Sequence, residues 1–435
     1  MTSSFKKTKS VKLVVAIFVS CCLTKFEISH AAEVVDFRQF IRQVSVLHPD
    51  IQEQKARVDA AEAEIEGSRS GRLPTISVGG SYSSETSESG TARFTVPIYT
   101  FGRITNEIEI SGERYRLAQL GLLVKQNKVV QEASELYIKY LSETRRLAVF
   151  RENYTELNLL LERIKRRRIS GYDSDADENS AKSRVLQSGA KVMRQEVLLK
   201  SMLGELAVIY GKEISDVVPL PKEFFGVPKS TDLNALILNQ NLGLLEAEQR
   251  IVIAEREIRL ARLNNRPNIE AFASDDLRSS GSSNTSVGIN IQYDWKNLGR
   301  SVASKIGSAE ALLRAAQSAY AGVKQDVRVQ LIKARTNIES LSKQISEQDS
   351  IVRSLTETKA SFSRQYEAGR KSLMELLNIH NELAEAKSQK ILLETQLFEA
   401  QIDIYSLSGS MYLAAEREDL PSQLSIINQN KSGAQ

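Results

Sequence analysis

The chain has 435 residues, 41% hydrophobic and 26% charged but only 6% aromatic, with eight prolines. Dispersed charge with so few aromatics and prolines fits long solvated helices and argues against two or three compact enzyme domains. The formal net charge is +4, and the first 31 residues, with five Lys and one Glu, carry all of that excess; the rest is close to neutral, which removes the electrostatic case for a nucleic-acid partner.

Residues 1–31 read as a secretory signal. Lys6, Lys7, Lys9 and Lys12 form its basic start, Leu13 to Leu23 its apolar stretch, and Ser29-His30-Ala31 or His30-Ala31-Ala32 its cleavage site. The apolar run of about 11 residues is too short for the roughly 20 that a spanning helix needs. Both cysteines, Cys21 and Cys22, lie inside this segment, so neither a disulfide framework nor a thiol metal site is expected in the exported chain. Lipid attachment at Cys21, after Phe18-Val19-Ser20, is the alternative processing. No later apolar run reaches helix-spanning length, so a membrane role would have to come from strands.

Residues 37–70 follow a helical pattern, and Pro74 stops it. From 75 to 82 the period changes to two: Ile76, Val78, Gly80 and Tyr82 alternate with polar or small residues. A Ser/Glu/Gly loop spans 83–91, and Ala92, Phe94, Val96 and Ile98 alternate again. This predicts a hairpin over about 74–99, with strands of roughly ten residues. Gly102-Arg103 follows, then a long helix over 103–168, a turn at Gly171 and a return helix over 174–210. At 1.5 Å per residue the first of these helices is roughly 100 Å long. Lys212 to Ser230, with Pro219, Pro221 and Pro228, is a linker.

The same order then recurs. Strands are expected over about 267–295, around a Ser/Gly loop at 277–284. Gly299-Arg300, helix 301–366, a turn at Gly369 and helix 372–408 follow, and 416–435 reads as a disordered tail. Gly171 and Gly369 are 198 residues apart, so 32–229 and 230–415 are two structural repeats. Leu331, Ala334, Ile338, Leu341 and Ile345 keep coiled-coil spacing, as do Leu147, Phe150, Tyr154, Leu157 and Leu161. A single hairpin of either kind reads most simply as soluble; two matched ones in an exported chain point to a barrel wall. Tyr99, Phe101, Tyr293 and Trp295 sit at strand ends, where an aromatic girdle belongs. Four strands cannot close a barrel, and an open edge in lipid leaves backbone groups unpaired. Three chains supply twelve strands, which leaves room for a lumen.

At these residues the chain resembles the TolC family of outer-membrane efflux and secretion channels. The resemblance spans about 37–410 and rests on the repeat and on three stretches. They are Pro97-Ile98-Tyr99-Thr100-Phe101-Gly102-Arg103, Gly369-Arg370-Lys371-Ser372-Leu373-Met374-Glu375-Leu376-Leu377-Asn378, and His48-Pro49-Asp50-Ile51. It implies an α+β membrane channel in which a long α-helical coiled-coil barrel continues a transmembrane β-barrel, with four strands per chain and twelve per homotrimer. The barrel would lie in the outer membrane of a Gram-negative bacterium, in contact with its lipid, and the helices would extend into the periplasm. The resemblance places a periplasmic gate at Asp177, Tyr366 and Lys371. It places pore selectivity rings at Glu375 and Asn378, the latter departing from the family's carboxylate. It places adaptor-docking tips at Arg166, Gly171, Arg364 and Gly369. For all of these a solvated helix face is the plain alternative.

The expected function is an exit duct in a tripartite export system, with a periplasmic adaptor and an inner-membrane ABC or RND transporter. No phosphate loop is present, so energy must come from that partner. The stretches Ser174 to Asp177 and Gly369 to Asn381 favour type I protein secretion; multidrug efflux is the alternative, and a periplasmic coiled-coil adaptor a distant one. With His48 and His380 as the histidines beyond the signal and no nucleophile motif, no enzyme, metal site or cofactor is expected.

Overall fold

The computed structural model describes residues 33–81, 89–220, 233–278, 283–293 and 300–411. The signal segment with Cys21 and Cys22, Trp295, Gly299 and the tail 416–435 lie outside the described residues, as do parts of both hairpin loops and of the linker.

Strand β1 (Glu33–Val35) opens the described chain, followed by helices α1 (Phe37–Leu47) and α2 (Pro49–Ser70). The pattern over 37–70 is thus two helices. Pro49 has no N–H to donate and holds His48 at φ −59°, ψ 130°, outside the helical region. The His48 imidazole then accepts from the Asp50 N–H at 3.3 Å and caps α2. Next come β2 (Thr75–Ser81) and β3 (Ser89–Tyr99), then helices α3 (Arg103–Ile169) and α4 (Asp175–Tyr210). Strand β4 (Ile214–Val217) precedes α5 (Leu233–Gln240) and α6 (Leu242–Leu263). The second hairpin is β5 (Asn268–Arg278) and β6 (Ser283–Gln292), followed by α7 (Arg300–Glu367) and α8 (Leu373–Leu407). The strands extend further into both expected loops than the alternation indicates, since β3 starts at Ser89 and β5 runs to Arg278.

The two hairpins join into one antiparallel sheet of order β2-β3-β5-β6. Side chains alternate between faces, so register decides what each face carries. Ile76 pairs with Phe94, Phe94 with Ala273 and Ala273 with Val287, which makes one apolar face. One residue along, Ser77 pairs with Arg93, Arg93 with Ser274 and Ser274 with Ser286. The Ser274 and Ser286 hydroxyls are 2.8 Å apart, and Arg93 stacks over the Phe272 ring at 5.2 Å. The apolar face is bare: Ile76 is 73% and Val287 80% exposed. Aqueous solvent makes such a continuous apolar face costly, and lipid does not. Tyr99 and Tyr293 are exposed at the sheet end nearest the helices. There Phe101 and Gly102 take left-handed backbone angles (φ 53° and 83°) to turn the chain from strand into α3.

Below the sheet the helices form a layer whose order changes along its length. In the half near the sheet, α3 lies between α2 and α6, with α7 beyond α6. Ser68 bonds Ser111, the Asn106 amide donates to the Arg256 carbonyl, and Arg262 pairs with Glu310 across these contacts. In the far half the order is α4-α3-α8-α7, tied by Arg151–Glu196, Lys387–Glu152 and Lys390–Asp349. Burial marks the edges. Helix α3 buries 22 residues, whereas α7, a residue longer, buries Ala309, Val327, Leu331, Ala334 and Tyr366. Leu312, Val329, Ile332 and Ile351 of α7 stay exposed, as do Leu186, Met193, Val197 and Val208 of α4.

The largest core lies at the junction of the two halves. Strands β1 and β4 pair in parallel, a two-stranded sheet that period-two alternation over three and four residues is too short to reveal. Tyr137 is fully buried there, and its hydroxyl donates to the Val35 and Val218 carbonyls at 3.1 and 2.8 Å. Phe37 meets its ring edge-on at 5.2 Å. Phe40, Tyr210, Ile402 and Tyr405 complete a belt that holds α1, α3, α4 and α8 together.

Val287→Arg should destabilise the membrane-inserted protein by about 2–4 kcal/mol, as expected for a cation on the lipid face of a barrel. Ser286→Arg, on the opposite face, should cost far less. Urea unfolding from lipid vesicles measures both; equal costs would reject the assignment of the two faces.

Candidate channel gate

The ends of the helical hairpins farthest from the sheet bring the sequence-assigned site residues together. Each hairpin turn is built the same way. The Gly171 N–H donates to the Arg168 carbonyl and the Tyr172 N–H to the Arg167 carbonyl, both at 2.9 Å. Gly369 and Arg370 repeat this onto Tyr366 and Gln365, at 3.0 and 2.8 Å. Both glycines are left-handed (φ 78° and 70°), which this helix ending requires and which side chains disfavour.

The return helices also start alike. Ser174 and Asp177 form a capping box on α4, and Ser372 and Glu375 form one on α8. In each, the serine hydroxyl accepts the third residue's N–H while that residue's carboxylate accepts the serine N–H. Asp177 is engaged in this cap, with its carboxylate 2.7 Å from the Ser174 hydroxyl. Within one chain it makes no bond to Lys371.

The two tips diverge at the other assigned positions. The buried Tyr366 hydroxyl donates to Asp173 at 2.9 Å. Arg167 grips the same carboxylate with two N–H groups, at 2.9 and 3.2 Å, and its guanidinium lies 5.0 Å from the Tyr366 ring centre. Burial, and then the Asp173 carboxylate, push the Tyr366 phenol well above its usual range, so it stays a donor. This latch joins α7 to the turn between α3 and α4. Lys371 donates to Glu375 at 2.5 Å and sits 4.4 Å from the Phe362 ring centre. The Lys371 bond, then the Ser372 N–H and hydroxyl, hold the Glu375 carboxyl down at about 2. The charge of Glu375 is therefore matched by its own neighbour. Asn378 accepts from the Arg184 guanidinium of α4 at 3.0 Å. A cation accordingly stands beside the position where the family carries a carboxylate. Arg166, Gly171, Arg364 and Gly369 are all exposed.

An apolar plug lies directly behind these groups: Leu157, Leu161, Ile164, Val185, Leu373 and Leu377 are buried with Tyr366. About two turns further back, Glu156 accepts two Lys359 bonds at 2.8 Å and contacts the His380 Nδ1 at 3.1 Å. This ties α3, α7 and α8 together. The His380 bond first, then Lys359, hold Glu156 at about 2 despite its partial burial.

Sequence reasoning did not place Arg167, Arg184 or Glu156 at the site. Asp173 was legible as the repeat counterpart of Lys371, at the 198-residue shift, because a charge reversal between repeats marks a place where the copies do different work. Arg184 and Glu156 carry no local signal, because their partners lie 194 and 203 or more residues away.

A sheet with one apolar face, continued by helical hairpins whose longest members reach roughly 100 Å, defines the subunit of a membrane-anchored tube. A family model described as "outer membrane efflux protein" matches residues 40–211 and 233–410, and the chain belongs to that family. Outer membrane protein TolC of Salmonella enteritidis is 21% identical over 420 residues, covering 87% of this chain and 82% of its own. TolC of Escherichia coli K12 is 20% identical over 435 residues, covering 92% and 87%. Two solved structures share the fold. A Pseudomonas aeruginosa membrane protein aligns with TM-score 0.76 at 18% identity, covering 90% of this chain and 92% of its own. The open-state MtrE outer membrane channel of Neisseria gonorrhoeae aligns with TM-score 0.74 at 16%, covering 86% and 89%. The protein is thus a TolC-family efflux channel of the Gram-negative outer membrane, with a periplasmic helical tunnel, and not an enzyme.

Glu156, depressed from 4.5 to about 2, stabilises the fold above pH 4.5, and that contribution is lost as pH falls toward 2. Glu156→Gln should therefore melt below the wild type at pH 5, with the gap closing between pH 4.5 and pH 2. A gap unchanged across this range in circular-dichroism melts would mean that the cluster is not what holds the carboxylate ionised.

Proposed function

We propose that three copies of this chain close into one tube that serves as the passive exit duct of a tripartite system for type I protein secretion. The observation that carries this reading is a pair of unsatisfied edges. Strands β2 and β6 bound the sheet with free backbone groups. Helices α2 and α4 on one side and α7 on the other bound the helical layer, and α4 and α7 carry exposed apolar residues. Head-to-tail closure satisfies both at once: β6 of one copy pairs with β2 of the next, and α7 packs against the neighbour's α2 and α4. Three copies give twelve strands, wider than the eight whose interior side chains fill.

At the periplasmic end, Asp173, Tyr366 and Arg167 supply the latch within each copy, and the neighbouring Asp177 and Lys371 are the groups available for links between copies. Such links are individually weak, which suits helices that must separate and reclose. Glu375 and Asn378 line the narrow entrance in this reading, and Lys371 and Arg184 offset the cation preference that three Glu375 carboxylates would impose. The exposed turns at Arg166, Gly171, Arg364 and Gly369 meet the adaptor, and an inner-membrane ABC transporter supplies the energy. Type I secretion is supported by the stretches Ser174 to Asp177 and Gly369 to Asn381. Multidrug efflux with an RND transporter is the second reading, favoured by the family description of an efflux protein.

The two readings separate in a deletion strain. Loss of specific proteins from the medium with unchanged drug tolerance supports secretion. Drug hypersensitivity with an intact set of secreted proteins transfers the proposal to efflux.

For the gate, Asp173→Ala should raise conductance in planar bilayers, because it removes the acceptor that Tyr366 and Arg167 share. Tyr366→Phe should act in the same direction but less, having lost one hydrogen bond worth about 1 kcal/mol. Wild-type conductance in Asp173→Ala would remove the latch from the gate.

A further inference from the structure

The chain crosses between sheet and helices four times, and an arginine stands at each crossing. Arg72 lies three residues before β2 and Arg266 two before β5, while Arg103 follows β3 by four and Arg300 opens α7. The level of these crossings is fixed by the face that meets lipid. A register shift between Pro97 and Tyr99 moves the alternation of β3 by one, so Tyr99 pairs with Ile269 and joins Ile269 and Ile291 on the apolar face. Alternation puts Tyr293 on the same face. Both tyrosines are about half exposed, at 54% and 51%. The apolar face therefore ends in a rim of phenols, where a barrel passes from hydrocarbon to headgroups, and the arginines lie just beyond it.

Their charge is not compensated within the chain. Five carboxylates lie in the stretches 66–75, 99–109, 262–270 and 300–310, and each is engaged. Glu66, Glu107, Glu109 and Glu310 pair with Arg69, Arg103, Arg256 and Arg262. Glu270 accepts from the Asn268 amide and stands on the polar face of the sheet. Arg72, Arg266, Arg300 and Lys305 are exposed and make no ion pair among the described residues. Arg72 donates to the neutral Thr105 hydroxyl at 3.2 Å, and Lys305 sits just over a turn into α7.

We propose that Arg72, Arg266, Arg300 and Lys305 form a collar that binds anionic phospholipid headgroups in the periplasmic leaflet of the outer membrane. The collar rests on insertion of the sheet and is common to the secretion and efflux readings. The partner follows from depth and charge. Just past the tyrosine rim the group that a bilayer presents is the headgroup phosphodiester, and a guanidinium meets its oxygens with two parallel N–H bonds. A zwitterionic headgroup brings its own ammonium and leaves the surplus of the collar in place; a net negative one neutralises it, and each cation close to such a surface adds about fivefold to binding. Closure of three copies repeats the collar around one level of the tube, where like charges crowd one another unless lipid phosphates lie between them. The collar thereby fixes the depth at which strands give way to helices.

The test reconstitutes the full chain into vesicles of phosphatidylcholine with a minor share of phosphatidylglycerol. After re-extraction in mild detergent, the lipids that stay bound are counted by mass spectrometry. The wild type should enrich phosphatidylglycerol over the bulk ratio by at least about fivefold, the gain expected from one cation at an anionic surface. Combining Arg72→Gln, Arg266→Gln, Arg300→Gln and Lys305→Gln should return the bound lipid to the bulk ratio. Changing the three arginines to Lys should keep most of the enrichment. Arg93→Gln, which removes an exposed cation from the polar face of the sheet, should leave it unchanged. Trimer yield and entry into the vesicles report folding; if the fourfold variant yields no trimer, the pair Arg72→Gln and Arg266→Gln carries the comparison. No enrichment in the wild type, or enrichment that survives the Gln changes, would overturn the collar. An equal loss with Arg93→Gln would trace the effect to overall charge and overturn it too. Complete displacement of the lipid by an equal concentration of inorganic phosphate would make this a site for free phosphate instead. A wild-type chain that does not enter the vesicles would reject the membrane sheet itself, and the collar with it.

Discussion

Everything in this molecule depends on backbone groups that lipid cannot satisfy. A strand edge facing hydrocarbon leaves several kcal/mol unpaid at each unpaired N–H or C=O. With a sheet of order β2-β3-β5-β6, one chain has two such edges and no way to join them. The apolar face seen through Ile76, Phe94, Ala273 and Val287 commits the sheet to the membrane. Closure between chains then becomes a condition of insertion rather than a later embellishment. The helices inherit that symmetry. An edge helix that buries five residues out of 68 makes sense only if a neighbour covers it.

The repeat makes closure economical, since each copy supplies one hairpin of strands and one of helices and the same turn chemistry serves twice. Function enters where the copies depart from each other. Capping boxes at Ser174 and Ser372 and the left-handed glycines at 171 and 369 are common to both. Tyr366 stands where the first copy has Arg168, and Lys371 where it has Asp173. Those exchanges create a latch from α7 to the first turn that has no mirror image. A strictly symmetric tip would give every helix pair equal reason to move. The asymmetry singles out one pair.

How much of this was readable from the sequence follows from the range of each interaction. Period-two strands, heptad helices and glycine turns are set by neighbours within a few residues, and their order along the chain was legible. So was the need for a partner, because it follows from counting strands. The pairing of β1 with β4 was not, since two short runs about 180 residues apart carry no periodic signature. At the site, the family positions fall at the ends of the helical hairpins, and within the chain Asp177 and Lys371 both bond to their own helix starts. The stagger between two coiled hairpins selects Asp173 for Tyr366, and stagger is set by packing along roughly 100 Å of helix, beyond the reach of local pattern.

Stiffness and gating would conflict if they were built from the same interactions, and here they are separated along the helices. The belt around Tyr137 is buried and rich in aromatic side chains, with its hydroxyl bonded to two backbone carbonyls. Breaking it would expose unpaired polar groups as well as apolar area, so it resists opening. Toward the tips the apolar plug is built of aliphatic side chains and one buried tyrosine, and the remaining bonds are ion pairs and caps at or near the surface. Those exchange readily for water or for a partner's groups. A protein that docks at the turns can therefore act on the last few helical turns without loosening the belt. On the proposed gate, opening is a local bending of hairpin ends about this belt, which suits a duct that must stay sealed within its membrane.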